Sequence, residues 1–312
     1  MSSAADVKTH PPTFSCGNCG ASLAFFGVRT ETCPYCTSPN FVERPAAANR
    51  PDPQFVVTFT GDNAVAKIAL ERWLGSRTLF ADSQLRHAKV DDIRGVYVPS
   101  YLYSAVARTE YSAQIGETYK ETETYKEKDK DGNTVTKTRS VTRTEYRTLA
   151  GKHVGYVADI VVSASVGLQN SELSRVEPFD LRKMRRYAPA LISGWITEEF
   201  ARTAGDCKSM SRGAAIEEVG LRLRKFMPGD SYSDLVWRTA VEWESLDPIL
   251  VPVWVLALKY REDKPLLRVV INGQTGKVFG KAPLAWWKIA IALAIALGAV
   301  AIAVAIYVGV RP

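Results

Sequence analysis

Histidine, the side chain best placed for proton transfer near neutral pH, is almost missing from this chain: 312 residues carry only His10, His87 and His153. None of the three stands near a serine or cysteine in a recognisable nucleophile motif. The phosphate-cradling pattern GxxxxGK[ST] is missing as well. Its nearest approach, Gly273-Gln274-Thr275-Gly276-Lys277, is too short and sits where a β-turn is predicted rather than ahead of a helix. Carboxylates occur as adjacent pairs, Glu198-Glu199 and Glu217-Glu218, but neighbours on a helix point about 100° apart, which suits neither pair to acid–base work. The opening MSSAADVKTHPPTFSC lacks the apolar core of a secretory signal. These absences set two expectations: the chain is not an enzyme, and its large N-terminal part stays in the cytoplasm.

Charge shows no extreme either. A net charge of +7 with 23% charged residues is globular composition, and it fits an anionic partner without choosing between lipid and nucleic acid.

Cysteine is scarce too, yet four of the five fall in two pairs, Cys16-Gly-Asn-Cys19 and Cys33-Pro-Tyr-Cys36. Two residues between thiols let a tight turn aim both sulfurs at one point, and two such turns complete a tetrahedron around zinc. Gly17, Gly20 and Pro34 suit those turns, and ASLAFFGVRTET between the pairs is long enough for a hairpin. Cys16, Cys19, Cys33 and Cys36 are thus expected to bind one structural Zn2+ in a ribbon over 13–44, following a disordered tail, 1–12. Cys207 belongs to neither pair and reads as an ordinary thiol. PAAANRPDP, 45–53, breaks both periodicities and reads as a linker.

At the other end, Ile289 to Val310 runs without a charge, long enough at about 1.5 Å per residue to cross a bilayer. Trp286, Trp287 and Lys288 precede it where interfacial residues belong. A single transmembrane anchor is expected over 284–310, with lipid as a partner and the N-terminal side in the cytoplasm.

The remainder, 54–282, reads as an α+β domain rich in strands. Val65, Ile68, Ala69, Arg72 and Trp73 repeat with helical spacing after a cap at Asp62 or Asn63, and Ala215, Ile216, Val219, Leu221 and Leu223 do so in a helix from near Ser211 to Phe226. Residues 117–147 alternate Thr, Glu, Lys and Tyr around Asp131-Gly132-Asn133, the pattern of an exposed hairpin. Arg175, Arg182, Lys183, Arg185 and Arg186 form the densest basic cluster, a candidate contact for an anionic partner that competes with local pairing to Glu177 and Asp180. Val98-Pro99-Ser100-Tyr101 is mirrored by Val251-Pro252-Val253-Trp254, as if two related halves built the domain; proline in a strand argues for an edge, a first position or a bulge.

Taken together, the ribbon cysteines, VYVPSYLYSA, ADIVVSAS, EPFDL and LVPVW…VVINGQTGKVFGKAP leading into the anchor resemble a family of bacterial TFIIB-type zinc-ribbon membrane proteins, sometimes labelled relatives of the primosomal helicase. The likeness covers nearly the whole chain, with Tyr101 where the family pattern expects tryptophan. The helicase label finds no support in the residues, as the missing phosphate loop shows. The resemblance implies a membrane-anchored adaptor at the bacterial inner membrane, some relatives standing beside phage-shock and SPFH-type stress proteins. The expected partner is a protein; nucleic acid, gripped by the basic cluster, is the less favoured alternative.

Overall fold

The structure is a computed structural model that describes residues 12–26, 30–45, 51–76, 80–90, 93–128 and 134–309. The expected tail up to residue 11 and residues 46–50 of the expected linker lie outside the described residues. In chain order, three short strands open the fold: β1 (Thr13–Cys16), β2 (Ser22–Phe25) and β3 (Phe41–Arg44). Next come β4 (Phe55–Val57), α1 (Asn63–Ser76), a 3-10 turn (Ser83–His87) and β5 (Lys89–Val90). Two very long strands follow, β6 (Arg94–Lys128) and β7 (Thr134–Ser163), then α2 (Asn170–Val176), a second 3-10 turn (Leu181–Lys183), β8 (Met184–Arg186), α3 (Pro189–Ile192) and β9 (Ile196–Glu198). The chain closes with α4 (Ala204–Phe226), β10 (Ser231–Lys259), β11 (Leu267–Asn272), β12 (Val278–Gly280) and α5 (Trp286–Gly309). The class is mixed α and β, with hydrogen-bonded strand order β12-β11-β10-β6-β9-β2-β1-β3.

Two compact units divide the chain. The first takes Met1–Tyr101, Val161–Cys207 and Asp247–Pro312; the second takes Leu102–Ile160 and Lys208–Leu246.

In the first unit α1 packs on β10 and β11. Ala66, Leu70, Trp73 and Leu74 turn inward against Trp254, Leu256, Val269 and Ile271. Asp62 Oδ1 accepts from the Ala64 amide and caps the helix, as expected. The expected face is met only in part: Trp73 is buried and Ala69 packs on the core, but Val65 and Ile68 are 47% and 56% exposed. Ala66 and Leu70, four apart, define the inward stripe, and a small residue there lets the helix approach the sheet closely.

The two proline motifs sit in equivalent settings. β9 runs parallel to β6 and its pairing ends at Tyr97, two residues before Pro99. β4 runs parallel to β10 and its pairing ends at Leu250, two residues before Pro252. The Pro99 carbonyl accepts from the Ala164 amide just past β7, and the Pro252 carbonyl accepts from the Gly273 amide just past β11. Neither β6 nor β10 is an edge strand. Proline is tolerated here because the flanking parallel partner has ended, so the missing N–H leaves no acceptor waiting.

The ribbon strands are continuous with this sheet. β1 pairs with β2 and β3, and β2 pairs antiparallel with β9, Leu23 opposite Glu198 and Phe25 opposite Ile196.

The second unit packs α4 on strands. Ala215, Val219 and Leu223 bury against Tyr103, Ala105, Ala107 and Val157. The expected companions Ile216 and Leu221 lie 37% and 44% exposed, because a stripe at 215, 219 and 223 leaves them on its flanks. α4 also starts earlier than Ser211. Thr203 Oγ1 accepts from the Asp206 amide and donates to the Asp206 carboxylate, a reciprocal cap that sets the start at Ala204. On β6 and β7 the alternating charges are matched across the pair: Glu117 with Arg147, Glu121 with Arg143, Glu123 with Arg139 at 2.9 Å, and Glu127 with Lys137 at 2.8 Å. These exposed pairs fix register more than stability. The expected turn at Asp131-Gly132-Asn133 lies outside the described residues.

Candidate metal centre

Each cysteine pair sits in a knuckle, and the two knuckles repeat one hydrogen-bond pattern. The Cys16 amide donates to the Ala21 carbonyl and the Gly20 amide to the Cys16 carbonyl; in the second knuckle Cys33 donates to Ser38 and Thr37 to Cys33. The residue after each second cysteine is left-handed, Gly20 at φ 78° and Thr37 at φ 58°. Glycine takes that conformation freely, whereas threonine is strained there.

The knuckles face one another. Cys16 Sγ lies 3.6 Å from Cys36 Sγ, Cys19 Sγ lies 3.6 Å from Cys33 Sγ, and all four sulfurs fall within 4.8 Å of one another. A tetrahedral ion with metal–sulfur bonds of about 2.3 Å needs sulfur–sulfur edges of about 3.8 Å. These separations fit that ion and are far too long for disulfides. Cys16 and Cys33 are buried, Cys19 and Cys36 half-buried. Backbone amides are already aimed at the sulfurs: Ala21 at Cys19, Tyr35 and Cys36 at Cys33, and Ser38 with the Asn18 side chain at Cys36. Such donors stabilise thiolates, the form that ligates. The thiol shared between Cys19 and Cys33 holds Cys19 down to about 5 and pushes Cys33 up. With four protein sulfurs, a bound ion has no open position for catalysis.

Beneath the second knuckle lies a network that the sequence reasoning missed. Tyr35, between the two ligands of its pair, is 3% exposed and donates from its hydroxyl to Glu198 Oε2 at 2.8 Å. Ser165 Oγ donates to the same oxygen at 2.6 Å, and the Gly167 amide donates to Oε1 at 2.9 Å. Burial pushes the Glu198 carboxyl up to about 6, against the pull of these three donors. Arg268 reaches the same place: its guanidinium lies 5.9 Å from the centre of the Tyr35 ring, donates to the Gly167 carbonyl at 2.7 Å and pairs with Glu172 at 2.8 Å. Gly167 admits no side chain, since a Cβ would stand 2.7 Å from Tyr35, 2.9 Å from Ala21 and 2.9 Å from Glu198. Glu198 ends a strand, β9, and Glu199 follows it, so neither sits on a helix. Trp195, Ile196 and Phe200 flanking the two glutamates were the local signal available for a buried carboxylate.

The basic residues spread over three elements: Arg175 on α2, Arg182 and Lys183 on a 3-10 turn, Arg185 and Arg186 on β8. All five are exposed. Asp180 engages Arg182 at 3.0 Å and Lys183 at 3.9 Å, and Arg182 holds its carboxyl below the ordinary range. Glu177 instead faces Lys277, whose ammonium donates to the Glu177 carbonyl. The Cys207 thiol is buried, which pushes it up to about 11 and leaves it unreactive. Trp286 and Trp287 are 74% and 62% exposed at the start of α5, and Lys288 lies 5.7 Å from the centre of the Trp287 ring. Trp286–Val304 is long and apolar enough to cross a membrane, and none of it is buried in the protein.

Among curated proteins the chain is similar to the uncharacterized protein YdjG of Bacillus subtilis (strain 168), 21% identical over 242 residues. That match spans 76% of this chain and 66% of the relative, just under two thirds of its length. No family model matches the chain, and no solved structure matches it.

Proposed function

We propose that the protein is a membrane-anchored adaptor of the bacterial inner membrane, with a structural zinc ribbon and a strand-rich cytoplasmic domain that binds a protein partner. Zinc is the ion for the four-cysteine cluster, because four thiolates at tetrahedral spacing select a soft ion of fixed geometry. α5 is the single membrane span. No residue is assigned a catalytic role, and support comes from the resemblance to bacterial zinc-ribbon membrane proteins, some of which stand beside membrane-stress proteins.

The observation that carries a protein partner is Trp243 on β10, in the second unit. It is 83% exposed and held at φ 54°. A tryptophan left in water on a strained backbone forgoes burial and accepts a conformational cost, a combination that marks recognition surfaces. In support of two related halves, β4-α1-β6-β7 and β9-α4-β10-β11 run in the same order, and each proline motif ends its parallel pairing at the same offset.

The experiment is recovery of the tagged chain from gently solubilised membranes after crosslinking. The adaptor reading predicts one stoichiometric protein partner, reduced at least tenfold by Trp243→Ala; recovery of the chain alone, repeatedly, overturns it. Exposed Arg185 and Arg186 favour a second reading, membrane-tethered nucleic-acid binding. That reading requires salt-dependent binding of DNA or RNA, lost when Arg182, Lys183, Arg185 and Arg186 are neutralised together.

A further inference from the structure

We infer that the 3-10 turn Ser83–His87, with Phe80 ahead of it, is a second membrane contact: a foot that rests on anionic lipid headgroups beside the start of α5. The inference rests on the reading of α5 as the anchor, and it adds a lipid-facing surface to the folded domain itself.

The geometry comes from the residues just before α5. Leu284 forms an antiparallel bridge with Ala81. The Ala285 amide donates to the Phe80 carbonyl at 2.8 Å, and the Asp82 amide donates to the Pro283 carbonyl at 3.0 Å. One helical turn later, Lys288 Nζ donates to the Ala81 carbonyl at 2.8 Å. The segment 80–82 is therefore stapled at the level where the apolar helix begins, which is headgroup level if the helix spans. The staple is rigid, since Ala81, Leu85 and Ala285 are buried and the first two belong to the core that α1 shares with β10 and β11.

What this segment shows to solvent suits an interface. Phe80 is 40% exposed and Leu284 53%, beside the two exposed tryptophans. An apolar side chain at that depth gains burial from the acyl boundary, as in interfacial helices. Arg86 and His87 end the turn and are exposed. Asp82, at the head of the turn, is engaged elsewhere: Arg261 lies 3.6 Å from it and 2.8 Å from Asp263. Asp91 and Asp92, next along the chain, lie outside the described residues. Among the described residues no carboxylate pairs with Arg86, so its charge is available to lipid phosphate. An apolar wedge flanked by Arg86 and Lys288 fits an anionic bilayer surface better than a protein or a nucleic acid, because the adjoining helix already fixes its height.

The test uses the full chain carrying a photocrosslinking amino acid at position 80 or, as reference, at position 287. Each protein is placed in nanodiscs of phosphatidylcholine alone, or with phosphatidylglycerol at about a third of the lipid. Lipid adducts are expected at both positions. At position 80 phosphatidylglycerol should be enriched about twofold or more over its bulk share, returning to that share in Arg86→Gln/His87→Gln. Adducts at 287 with none at 80, adducts at 80 to protein only, or adducts at 80 without enrichment each overturn the foot and leave the anchor standing. No lipid adduct at either position rejects the anchor.

Discussion

Removing the Glu198 side chain tests whether the metal ribbon is held to the sheet by the carboxylate beneath it. Three donors converge on that carboxylate: the Tyr35 hydroxyl at 2.8 Å, the Ser165 hydroxyl at 2.6 Å and the Gly167 amide at 2.9 Å. Glu198→Ala leaves all three buried without an acceptor, at about 1–3 kcal/mol each. Relief of the buried carboxylate's own desolvation offsets part of this, so the net loss is about 3–5 kcal/mol. If the ribbon opens locally before metal escapes, each 1.4 kcal/mol speeds release about tenfold, and chelator-driven release should accelerate on the order of a hundredfold to several-thousandfold. The assay is chromogenic chelator uptake of zinc from the full chain in detergent. Glu198→Gln keeps one acceptor and should lose about 1 kcal/mol; Tyr35→Phe removes a single hydroxyl and should release metal roughly tenfold faster. Zinc release within twofold of the parent in both Glu198→Ala and Tyr35→Phe would refute the reasoning.

Other outcomes follow from single positions. Gly167→Ala places a Cβ under 3.0 Å from Tyr35, Ala21 and Glu198, and overpacking of this kind should lower the ribbon's stability by about 1–3 kcal/mol, read by the same release assay. Trp243→Asn keeps a residue that accepts φ 54°, so unfolding should shift by no more than about 0.5 kcal/mol while partner recovery is lost; retained recovery moves the interface elsewhere. Burial pushes Glu177 from the usual 4.5 up to about 7, with Lys277 pulling against it. The native state therefore holds the proton more tightly, and this contribution is fully present below about pH 4.5 and lost as pH rises through 7. Glu177→Gln should flatten the stability curve between pH 5 and 8 by up to about 3 kcal/mol, measured by denaturant titration across that range.

Much of the site was legible because spacing alone encodes it. The four ribbon cysteines need only two short turns, one for each pair, and local chemistry dictates both; the helical stretch before the C-terminus is likewise set by length and composition. What escaped the sequence was everything that depends on contacts far along the chain. Glu198 lies 163 residues from Tyr35, and nothing near either residue announces the other. Ala215, Val219, Leu223 and Trp73 turn inward as their spacing implies, whereas Ile216, Leu221, Val65 and Ile68 do not, because both helices carry apolar residues on more than one side and only the packed sheet decides which side turns inward. Proline in a strand suggests an edge, a first position or a bulge, whereas at Pro99 and Pro252 a parallel partner that stops two residues earlier makes an interior position safe. The early start of α4 is encoded in Thr203-Ala-Gly-Asp206, a capping pattern weaker than the apolar repeat after Ser211.

The central claim is an adaptor: one chain, one zinc, one protein partner, held at a membrane. Native mass spectrometry of the complex extracted directly into lipid nanodiscs reads all of these together. The account predicts a species heavier than the chain by one zinc and one partner protein, with the partner absent and the zinc retained in Trp243→Asn. A wild-type spectrum showing only the bare chain, without zinc or without any partner under gentle extraction, would contradict it.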